Sequence, residues 1–397
     1  MSHGDRPAVC IVVENLPVPL DRRVWREACA LRDAGFRVSV VCPKGTGISN
    51  ASYQNLDGVE IYRHRTWEAS GVAGYLLEYS WALAAEFWLT LKIFARTRFR
   101  ILQACNPPDT IFLIGLLFRP FGVRFIFDHH DLSPELFESR FGTASVLYRL
   151  TRLFEKCSFK TARVCIATND SFKEIAESRG QKSPEDIFVV RNCPDLAKLK
   201  PNPTRQDDKS ARSLLVLYVG FMGPQDGLPL LIKSIDHIIK HENRRDTHFV
   251  LVGGGTELAM LRELVAKQGL ASFVTFTGQV PHEDVITYLS KADIGVAPDP
   301  KTAMNDKSTM VKIFEYMAYG LPTVLFDLKE SRRIADSSAL YARPNDPIDF
   351  ANKITRLLDS ENLRCELGVR GRKRVEDRLN WDVEKTVLIE AYERALQ

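Results

Sequence analysis

The sequence lacks the features that define several common classes of protein. Its eight cysteines include no C-x-x-C pair, and several lie in apolar runs such as Val9–Val13 and Val38–Cys42. This spacing argues against a zinc or disulfide framework and predicts the buried, reduced thiols of a cytosolic protein. Charge of one sign is also scarce, because 54 Lys and Arg residues stand against 50 Asp and Glu residues and leave a net charge of only +4. We therefore expect no nucleic acid among its partners.

The chain also lacks a recognisable leader and a long apolar run. Its first residues contain neither a cationic region followed by an apolar stretch nor a small-residue cleavage site, so we expect no secretion. The most apolar segment, Val72–Phe94, is interrupted by Glu78, Glu86 and Lys92. Thr110–Phe118 falls far short of the ~20 apolar residues that span a bilayer. We expect a cytoplasmic protein without a membrane span.

The segment Val72–Phe94 nevertheless has two interpretations. It is rich in large apolar side chains and runs into Arg96, Arg98 and Arg100. One interpretation is an ordinary buried helix. The other is a face that rests on an anionic membrane surface, which would make the protein peripheral on the inner face of the plasma membrane.

Length and periodicity predict two α/β domains. A chain of 397 residues is about twice the usual size of one domain. Short β-branched runs alternate with longer segments of helical period, the pattern of a doubly wound parallel sheet with crossover helices. The segment Asp195–Arg212 loses this period and fills with Pro, Lys and Asp. We predict domains at 1–197 and 213–378, a linker at 198–212 and a crossover helix at 379–397.

The strands can be predicted individually. In the first helix Leu20, Val24, Ala28 and Leu31 recur at helical spacing, with Asp21 as the amino-terminal cap. Ligands of such folds bind beyond the carboxyl ends of the strands. The predicted strands are Val9–Val13, Arg37–Cys42, Phe99–Ala104, Arg124–Asp128, Arg163–Ala167, Ile187–Arg191, Leu214–Val219, Phe249–Val252, Val274–Thr277, Ile294–Ala297 and Thr323–Phe326.

Glycines follow several strands, but they do not form a dinucleotide or P-loop motif. Gly253–Gly255 does not continue into G-x-G-x-x-G, since Leu258 stands where a third glycine would be, and G-x-x-x-x-G-K-[ST] is absent. Nicotinamide dehydrogenases and P-loop enzymes are therefore disfavoured.

The most informative stretch is Ser308–Leu325. Ser308 or Thr309 is the predicted cap of a helix whose inner face is Val311, Phe314 and Ala318, and Gly320 follows its end. Two interpretations are open for Lys312 and Glu315, three residues apart. They could pair on a solvated surface. Alternatively, a diphosphate binds the free N–H groups of Ser308–Met310 with Lys312 as counter-charge, and Glu315 accepts hydrogen bonds from ribose hydroxyls.

The pattern K-x-x-E-Y-M-A-x-G-x-P, from Lys312 to Pro322, closely resembles the donor-binding segment of retaining glycosyltransferases of family 4, which have the GT-B fold. The resemblance covers nearly the whole chain, and the closing Trp381 and its helix resemble the segment that returns to the first domain. Further matching motifs are Asp21–Glu27, Phe127–Asp131, Arg191–Asp195, Tyr218–Gly220, Val252–Gly255, Phe276–Gly278 and Asp293.

The resemblance implies an enzyme of polysaccharide biosynthesis. It would move a sugar from a nucleotide diphosphate donor, with UDP or GDP as the nucleotide, to a hydroxyl of a glycan or lipid-linked glycan. Front-face attack is implied, with the leaving diphosphate taking the acceptor proton, and neither a cofactor nor a metal is expected.

The resemblance also implies the site residues. His130, Asp131 and Lys312 are the implied catalytic residues. For the adjacent His129 and His130 the alternative is one packed and one solvated ring. On the acceptor side stand Asp21, Arg22 and Arg23, which judged alone would be a helix cap with a solvated face. The implied donor-binding residues are Gly220, Gly223, Gly254, Gln279, Lys307, Ser308, Thr309, Met310, Lys312 and Glu315.

Three positions depart from the family pattern. Phe221 and Asp226 stand where an arginine and a lysine usually contact the donor diphosphate, and Lys307 replaces the first of two glutamates. Lys307, Lys312 and Arg22 or Arg23 could restore the positive charge that a dianionic leaving group requires. The departures keep two alternatives open: an inactive nucleotide-sugar-binding subunit of a polysaccharide assembly complex, and a GT-B nucleotide-sugar epimerase.

Overall fold

The computed structural model describes residues 7–45, 50–65, 71–141, 146–197, 199 and 213–397, and excludes the side chains of 71–79, 139–141 and 147. The predicted linker, 198–212, lies outside the described residues except for Leu199. The chain divides into two compact units, Met1–Asn192 with Glu384–Gln397, and Cys193–Val383. Each is described by itself.

The first unit contains a predominantly parallel sheet. Across the described ranges its strand order is β3-β4-β2-β1-β5-β6-β7-β8, and β3 pairs antiparallel with β4. Its strands are β1 (Ala8–Val13), β2 (Arg37–Pro43), β3 (Tyr53–Leu56), β4 (Val59–His64), β5 (Ile101–Cys105), β6 (Arg124–His129), β7 (Val164–Ala167) and β8 (Ile187–Val189). Its helices are α1 (Arg22–Asp33), α2 (Gly71–Thr97), α3 (Phe112–Phe118), α4 (Ser133–Phe141), α5 (Val146–Thr161) and α6 (Asp170–Ser178).

The second unit contains a parallel sheet. Among the residues described there, the strand order is β11-β10-β9-β12-β13-β14. Its strands are β9 (Leu214–Val219), β10 (Thr247–Val252), β11 (Val274–Gly278), β12 (Ile294–Ala297), β13 (Thr323–Phe326) and β14 (Ala339–Ala342). The helices that follow β8 are α7 (Leu228–Asp236), α8 (Leu258–Lys267), α9 (His282–Lys291), α10 (Val311–Ala318), α11 (Lys329–Ala335), α12 (Pro347–Asp359), α13 (Glu361–Asp377) and α14 (Trp381–Leu396).

The predicted α/β architecture is confirmed, because each unit alternates buried parallel strands with helices. The predicted return of the carboxyl-terminal helix is confirmed as well, since Glu384–Gln397 belong to the first unit. Strands β3, β4 and β14 are not among the predicted strands. The strand β3 is short, carries Gln54 and Asn55 and has no fully buried residue, so its sequence lacks the apolar signal on which strand prediction depends.

Local details of α1 follow the prediction with one exception. The Asp21 carboxylate accepts hydrogen bonds from the backbone N–H groups of Arg23 and Val24, as expected of a cap. Val24, Ala28 and Leu31 are fully buried. Leu20 lies before the helix and is 60% exposed, so its assignment to the buried face was wrong.

Two predictions for α10 are also wrong. Met310 occupies the cap position, no side chain caps the helix, and the Ser308 hydroxyl instead donates to the Met304 carbonyl at 2.9 Å. Val311 is 42% exposed, whereas Phe314 is fully buried with its neighbour Ile313. Phe314 and Ala318 are buried as predicted, but the buried face also contains Ile313, Tyr316 and Met317 and excludes Val311.

Most of the cysteines are buried, as predicted. All eight cysteines lie in the described ranges and are free, and Cys10, Cys42, Cys105, Cys165 and Cys193 are buried. Cys365 is exposed, which corrects the expectation of burial there.

Within the part of the chain that the structure describes, none of the helices combines the length and apolar character that a membrane span requires.

Candidate functional site

Polar residues of the first unit gather at the carboxyl end of β6. Asp128 is fully buried in this strand, and His130 follows its last residue. His130 Nε2 lies 2.6 Å from Asp128 Oδ2, and Arg23 Nη2 lies 2.9 Å from Asp128 Oδ1. Glu27, one turn further along α1, lies 3.0 Å from Arg23 Nε. Together with Gln103, these residues are called the His130 cluster.

The electrostatics of the His130 cluster favour a protonated histidine. Burial lowers the pKa of His130, but the Asp128 carboxylate outweighs it, and the pKa lies above its ordinary value. Burial raises the pKa of Asp128, yet Arg23 and His130 hold it well below its usual range. Burial, followed by the Asp128 charge, raises the pKa of Glu27 to about 7. His130, whose side chain is 15% exposed, therefore presents positive charge at the edge of the cluster.

The structure changes the interpretation of the acceptor-side residues. Arg23 is only 7% exposed, so its assignment to a solvated face was wrong. Besides Asp128, its guanidinium donates to the Val190 carbonyl at 2.7 Å and to Asn192 Oδ1 at 3.2 Å. These contacts occupy it within the first unit. Arg22 is exposed, and its acceptor-side role stays a prediction.

His129 and His130 have different surroundings. His129 is 1% exposed, and its ring lies against those of Phe127, Phe159 and Phe172, at 4.8 to 5.4 Å between centroids. Burial, with Arg179 nearby, lowers the pKa of His129 to about 3. His129 is therefore a packed core residue. This agrees with the alternative interpretation of the histidine pair, in which one of the two rings is packed.

Sequence reasoning missed Asn106. It follows β5 directly, and its Oδ1 accepts the backbone N–H groups of His130 at 2.6 Å and Asp131 at 3.2 Å. Its Nδ2 donates to the Asp131 carbonyl at 2.8 Å. Asn106 thereby fixes the loop that carries His130 and Asp131, two of the three predicted catalytic residues. A polar residue just after a buried strand was the signal that could have found it.

Gln103 and Tyr392 were also missed. Gln103 is fully buried in β5, and its Nε2 donates to Glu27 Oε2 at 2.8 Å and Asp128 Oδ2 at 3.0 Å. The buried Tyr392 hydroxyl, from the carboxyl-terminal segment of the first unit, donates to Gln103 Oε1. A glutamine inside an apolar strand is a detectable signal, but nothing local marks Tyr392.

The second unit collects charged side chains around Lys312. Its ammonium lies 3.0 Å from Asp299 Oδ1 and 3.6 Å from Asp226 Oδ1, and 4.7 Å from the centre of the Tyr218 ring. The Lys312 side chain is 9% exposed. Tyr218, Asp226, Asp299 and Lys312 are called the Lys312 cluster. The interpretation of Lys312 as a solvated surface residue is therefore wrong.

The sheet order explains why the Lys312 cluster forms. Strand β9 pairs with β12, so the turns that follow these strands lie side by side. Asp226 comes from the first turn and Asp299 from the second. Burial lowers the pKa of Lys312, but the two aspartates outweigh it and raise the pKa overall. Burial raises the pKa of Asp226, against the opposing effect of Lys312.

The predicted glycines lie in turns around this cluster. A Cβ on Gly220, whose φ is 153°, would lie 3.0 Å from the Tyr218 hydroxyl. The Gly223 N–H donates to Asp226 Oδ2 at 3.2 Å. Gly254 lies in the turn after β10, beside Gln279, where its added Cβ would be 3.7 Å from the Gln279 Cβ. The Gly254 carbonyl accepts a hydrogen bond from Met222, which joins the two turns.

The remaining predicted donor-binding residues lie before and on α10. The Ser308 N–H is not free, because it donates to the Asn305 carbonyl at 3.2 Å. Lys307, Thr309 and Met310 are half-buried in the same loop, and Glu315 is half-buried on α10. Their contacts with a donor stay predictions.

Family comparison decides what kind of protein carries these clusters. Residues 20–193 match the family model described as "Glycosyl transferase 4-like domain". Residues 213–360 match the model described as "Glycosyl transferases group 1". The chain belongs to the glycosyltransferases that these two models describe. The resemblance inferred from the motifs is thereby confirmed.

Individual relatives and solved structures agree with that assignment. The D-inositol 3-phosphate glycosyltransferase of Acidothermus cellulolyticus is 30% identical over 231 residues, which cover 54% of this chain and 49% of that protein. The chain thus matches about half the length of this curated relative. Sucrose-phosphate synthase from Thermosynechococcus elongatus has a TM-score of 0.80 at 19% identity, covering 98% of this chain and 99% of that one.

A second solved structure is HepE from Anabaena in complex with UDP and glucose. Its TM-score is 0.70 at 14% identity, covering 97% of this chain and 99% of that one. At such identities the likeness concerns the fold, which is GT-B as predicted.

Proposed function

We propose that this glycosyltransferase is a retaining enzyme that moves a sugar from a nucleotide diphosphate donor to a hydroxyl of a glycan or lipid-linked glycan in polysaccharide biosynthesis. The observation that carries the proposal is the buried Asp128–His130 pair, whose histidine is the partly exposed member. It lies at the carboxyl end of a parallel strand, where ligands of α/β folds bind. UDP and glucose bound to HepE support a donor of this class.

The hydrogen-bonding pattern gives His130 a defined task. Arg23 Nε–H donates to His130 Nε2 at 2.9 Å when the imidazole is neutral, which leaves the ring proton on Nδ1. When the imidazole is protonated, Nε2–H donates to Asp128 Oδ2 at 2.6 Å, and Arg23 Nε keeps its 3.0 Å ion pair with Glu27. The Nδ1–H is then the donor that remains for the transferred sugar or its phosphate. A cationic donor stabilises the charge that develops on the leaving diphosphate. The diphosphate itself takes the acceptor proton, so His130 need not act as a base.

The donor nucleotide, UDP or GDP, is assigned to the second unit. Glu315 would accept hydrogen bonds from ribose hydroxyls, and the turns of Gly220, Gly223 and Gly254 would let phosphate approach the backbone N–H groups. The charge of the Lys312 cluster restricts donor binding. Two ionised aspartates and one lysine give the cluster a net charge of −1. A dianionic diphosphate therefore requires Asp226 to be protonated or displaced.

The test combines donor binding with transfer. Calorimetry with UDP, GDP and their sugar conjugates should find one nucleotide that binds, and Glu315→Ala should weaken it by about 1–3 kcal/mol. Transfer to a glycan acceptor should yield a product with the anomeric configuration of the donor, measured by NMR. Inversion of configuration, or Glu315→Ala affinity equal to that of the native chain, would contradict the proposal.

A second candidate function is an inactive nucleotide-sugar-binding subunit. The pairing of Lys312 with Asp226 favours it, because it neutralises the lysine expected to stabilise the leaving group. Donor binding without turnover, across a range of acceptors, would select this candidate. Donor conversion without any acceptor would instead select a nucleotide-sugar epimerase.

We further propose that the first unit rests on an anionic membrane. Trp81, Trp88 and Phe121 are 55 to 65% exposed, while Phe94 and Phe118 are buried, with ring centroids 5.5 and 6.5 Å from that of Phe121. The segment therefore supplies both core and surface. The surrounding exposed cations are Lys92, Arg96, Arg98, Arg100, Arg119 and Arg124.

Each clustered cation should add about 1 kcal/mol of attraction to anionic lipid, and this attraction falls as salt rises. Co-sedimentation with anionic vesicles at low salt, but not with neutral vesicles or at high salt, is the expected result. Recovery in the supernatant under every condition would contradict membrane association.

A further inference from the structure

A second polar cluster of the first unit has no part in the proposed reaction. Glu14 directly follows β1, His64 is the last residue of β4, and Glu86 lies on α2. One ligand atom from each residue lies within 4.8 Å of the others. Strands β1 and β4 both pair parallel with β2, so Glu14 and His64 come from the same edge of the sheet. These three residues are called the Glu86 cluster.

The Glu86 cluster is deeply buried and has unused hydrogen-bonding capacity. Glu86 is 0% exposed and His64 is 6% exposed. Among the described side chains, both Glu86 carboxylate oxygens, Glu14 Oε2 and His64 Nε2 lack a hydrogen-bond partner. A buried carboxylate without partners is costly, so the site requires a compensating cation or proton.

The orientation of His64 favours a cation. Its Nδ1 lies 3.3 Å from the Arg65 carbonyl, and only an Nδ1–H can hydrogen-bond there. In the neutral ring this places the lone pair on Nε2, which lies 2.9 Å from Glu14 Oε2. A lone pair facing a carboxylate at this distance is repulsive unless a proton on Nε2 or a metal ion lies between the two atoms. An Nδ1–H held by a backbone carbonyl is also the usual arrangement of a metal-binding histidine.

Charge balance points the same way. Two carboxylates and a neutral imidazole balance one divalent cation.

The other three-residue group of possible ligands does not suit a cation. In the group of Cys105, Asp128 and His130, Arg23 already contacts Asp128 and lies 2.9 Å from His130 Nε2. Burial, followed by Asp128, raises the pKa of the Cys105 thiol well above its ordinary value, which disfavours the thiolate that a metal requires.

We propose that Glu14, His64 and Glu86 bind one divalent transition-metal ion of the Zn²⁺ type. One imidazole and two carboxylates form a mixed nitrogen and oxygen donor set that suits such ions, and three protein ligands leave a position for water or another ligand. The Glu14 side chain, 13% exposed, is the route of entry. The site tethers β1, β4 and α2. This proposal is independent of the proposed function.

The test measures metal retention by the full chain. The Cys365→Ser variant serves as background, because it removes an exposed thiol that would offer Zn²⁺ a second, unrelated ligand. The chelator-treated protein is incubated with Zn²⁺, separated from free metal and analysed by inductively coupled plasma mass spectrometry. We expect about one ion per chain and a higher melting temperature than that of the metal-free protein. Bound Co²⁺ should show d–d absorption without thiolate charge transfer.

Matched variants locate the ion. Glu86→Gln, which keeps the size of the side chain, and Glu14→Gln, at the partly exposed position, should each weaken Zn²⁺ binding at least tenfold. His130→Ala should retain the ion. Circular dichroism verifies that each variant is folded, and two glutamate positions keep the test valid if one variant fails to fold. Three outcomes would overturn the proposal: no metal retained by the background protein, the same retention in both glutamine variants as in the background protein, or loss of metal only in His130→Ala.

Discussion

The two units each bury a cation between two carboxylates, but the first cluster has one more positive charge than the second. In the first unit, Arg23 lies between Asp128 and Glu27, and His130 adds a proton at the partly exposed edge. In the second unit, Lys312 lies between Asp299 and Asp226, and no further cation belongs to the defined cluster. The first arrangement is ready to stabilise an anion. The second must first lose a negative charge.

The largest expected effect comes from breaking the first arrangement. His130→Ala removes the cationic donor and should lower turnover by ~10²–10³-fold, because the group is proposed to act on charge that develops in the transition state. Donor affinity should change little. Steady-state kinetics and calorimetry separate the two quantities. Equal loss of affinity and turnover would assign His130 to donor binding instead.

The neighbouring His129 is expected to affect the pH dependence of stability, whereas His130 is expected to affect turnover. The lowered pKa of His129 means that the unfolded chain takes up the proton first as the pH falls below 6.5. Native stability is therefore lost towards acid pH. His129→Phe keeps a ring among Phe127, Phe159 and Phe172 but removes this titration.

Urea unfolding at pH 7 and pH 5 measures the difference. Between these values the native chain should lose about 2 kcal/mol more of its unfolding free energy than His129→Phe does. The raised pKa of Glu27 acts in the opposite direction in both proteins, so it cancels in the comparison. Parallel pH dependence of the two proteins would show that His129 does not titrate as its burial implies.

The second arrangement can be relieved by one substitution. Asp226→Asn keeps the shape of the side chain and removes the excess negative charge beside Lys312. Donor affinity should rise about tenfold, as expected for a like charge at short range in a partly screened site. Calorimetry with the preferred nucleotide diphosphate measures it, and Asp246→Asn, at an exposed aspartate, is the control. Weaker binding by Asp226→Asn would mean that Asp226 contacts the donor directly.

The comparison also shows what the sequence can predict. Strands β9, β12 and β13 have the predicted limits, because each is an apolar run bounded by turn residues. The Asp21 cap and the histidine of the first cluster followed from local motifs. The partners of Lys312 did not, since Asp226 and Asp299 reach it only through the order of strands in the sheet. Burial of Arg23 was missed for the same reason, because its partner Asp128 is distant in sequence.

The smallest expected effect concerns the residue that no local pattern marks. The Tyr392 hydroxyl donates to Gln103 Oε1 and thereby directs the amide nitrogen towards Glu27 and Asp128. If the amide reversed, its oxygen would face both carboxylates. Tyr392→Phe keeps the edge contact with Phe36 at 5.7 Å and removes only this constraint. Turnover should fall about fivefold, because a single neutral hydrogen bond is worth about 1 kcal/mol.

A positioning role for Tyr392 can be separated from a purely structural one by a double-mutant cycle. Gln103→Leu removes the amide that Tyr392 orients, so the effects of Tyr392→Phe and Gln103→Leu on turnover should not add. The pH profile of turnover should also shift in Tyr392→Phe, since the Gln103 hydrogen bond lowers the pKa of Glu27. Donor affinity, which is proposed to depend on the second unit, should stay unchanged. Additive effects with an unchanged pH profile would mean that Tyr392 stabilises the first unit without organising the His130 cluster.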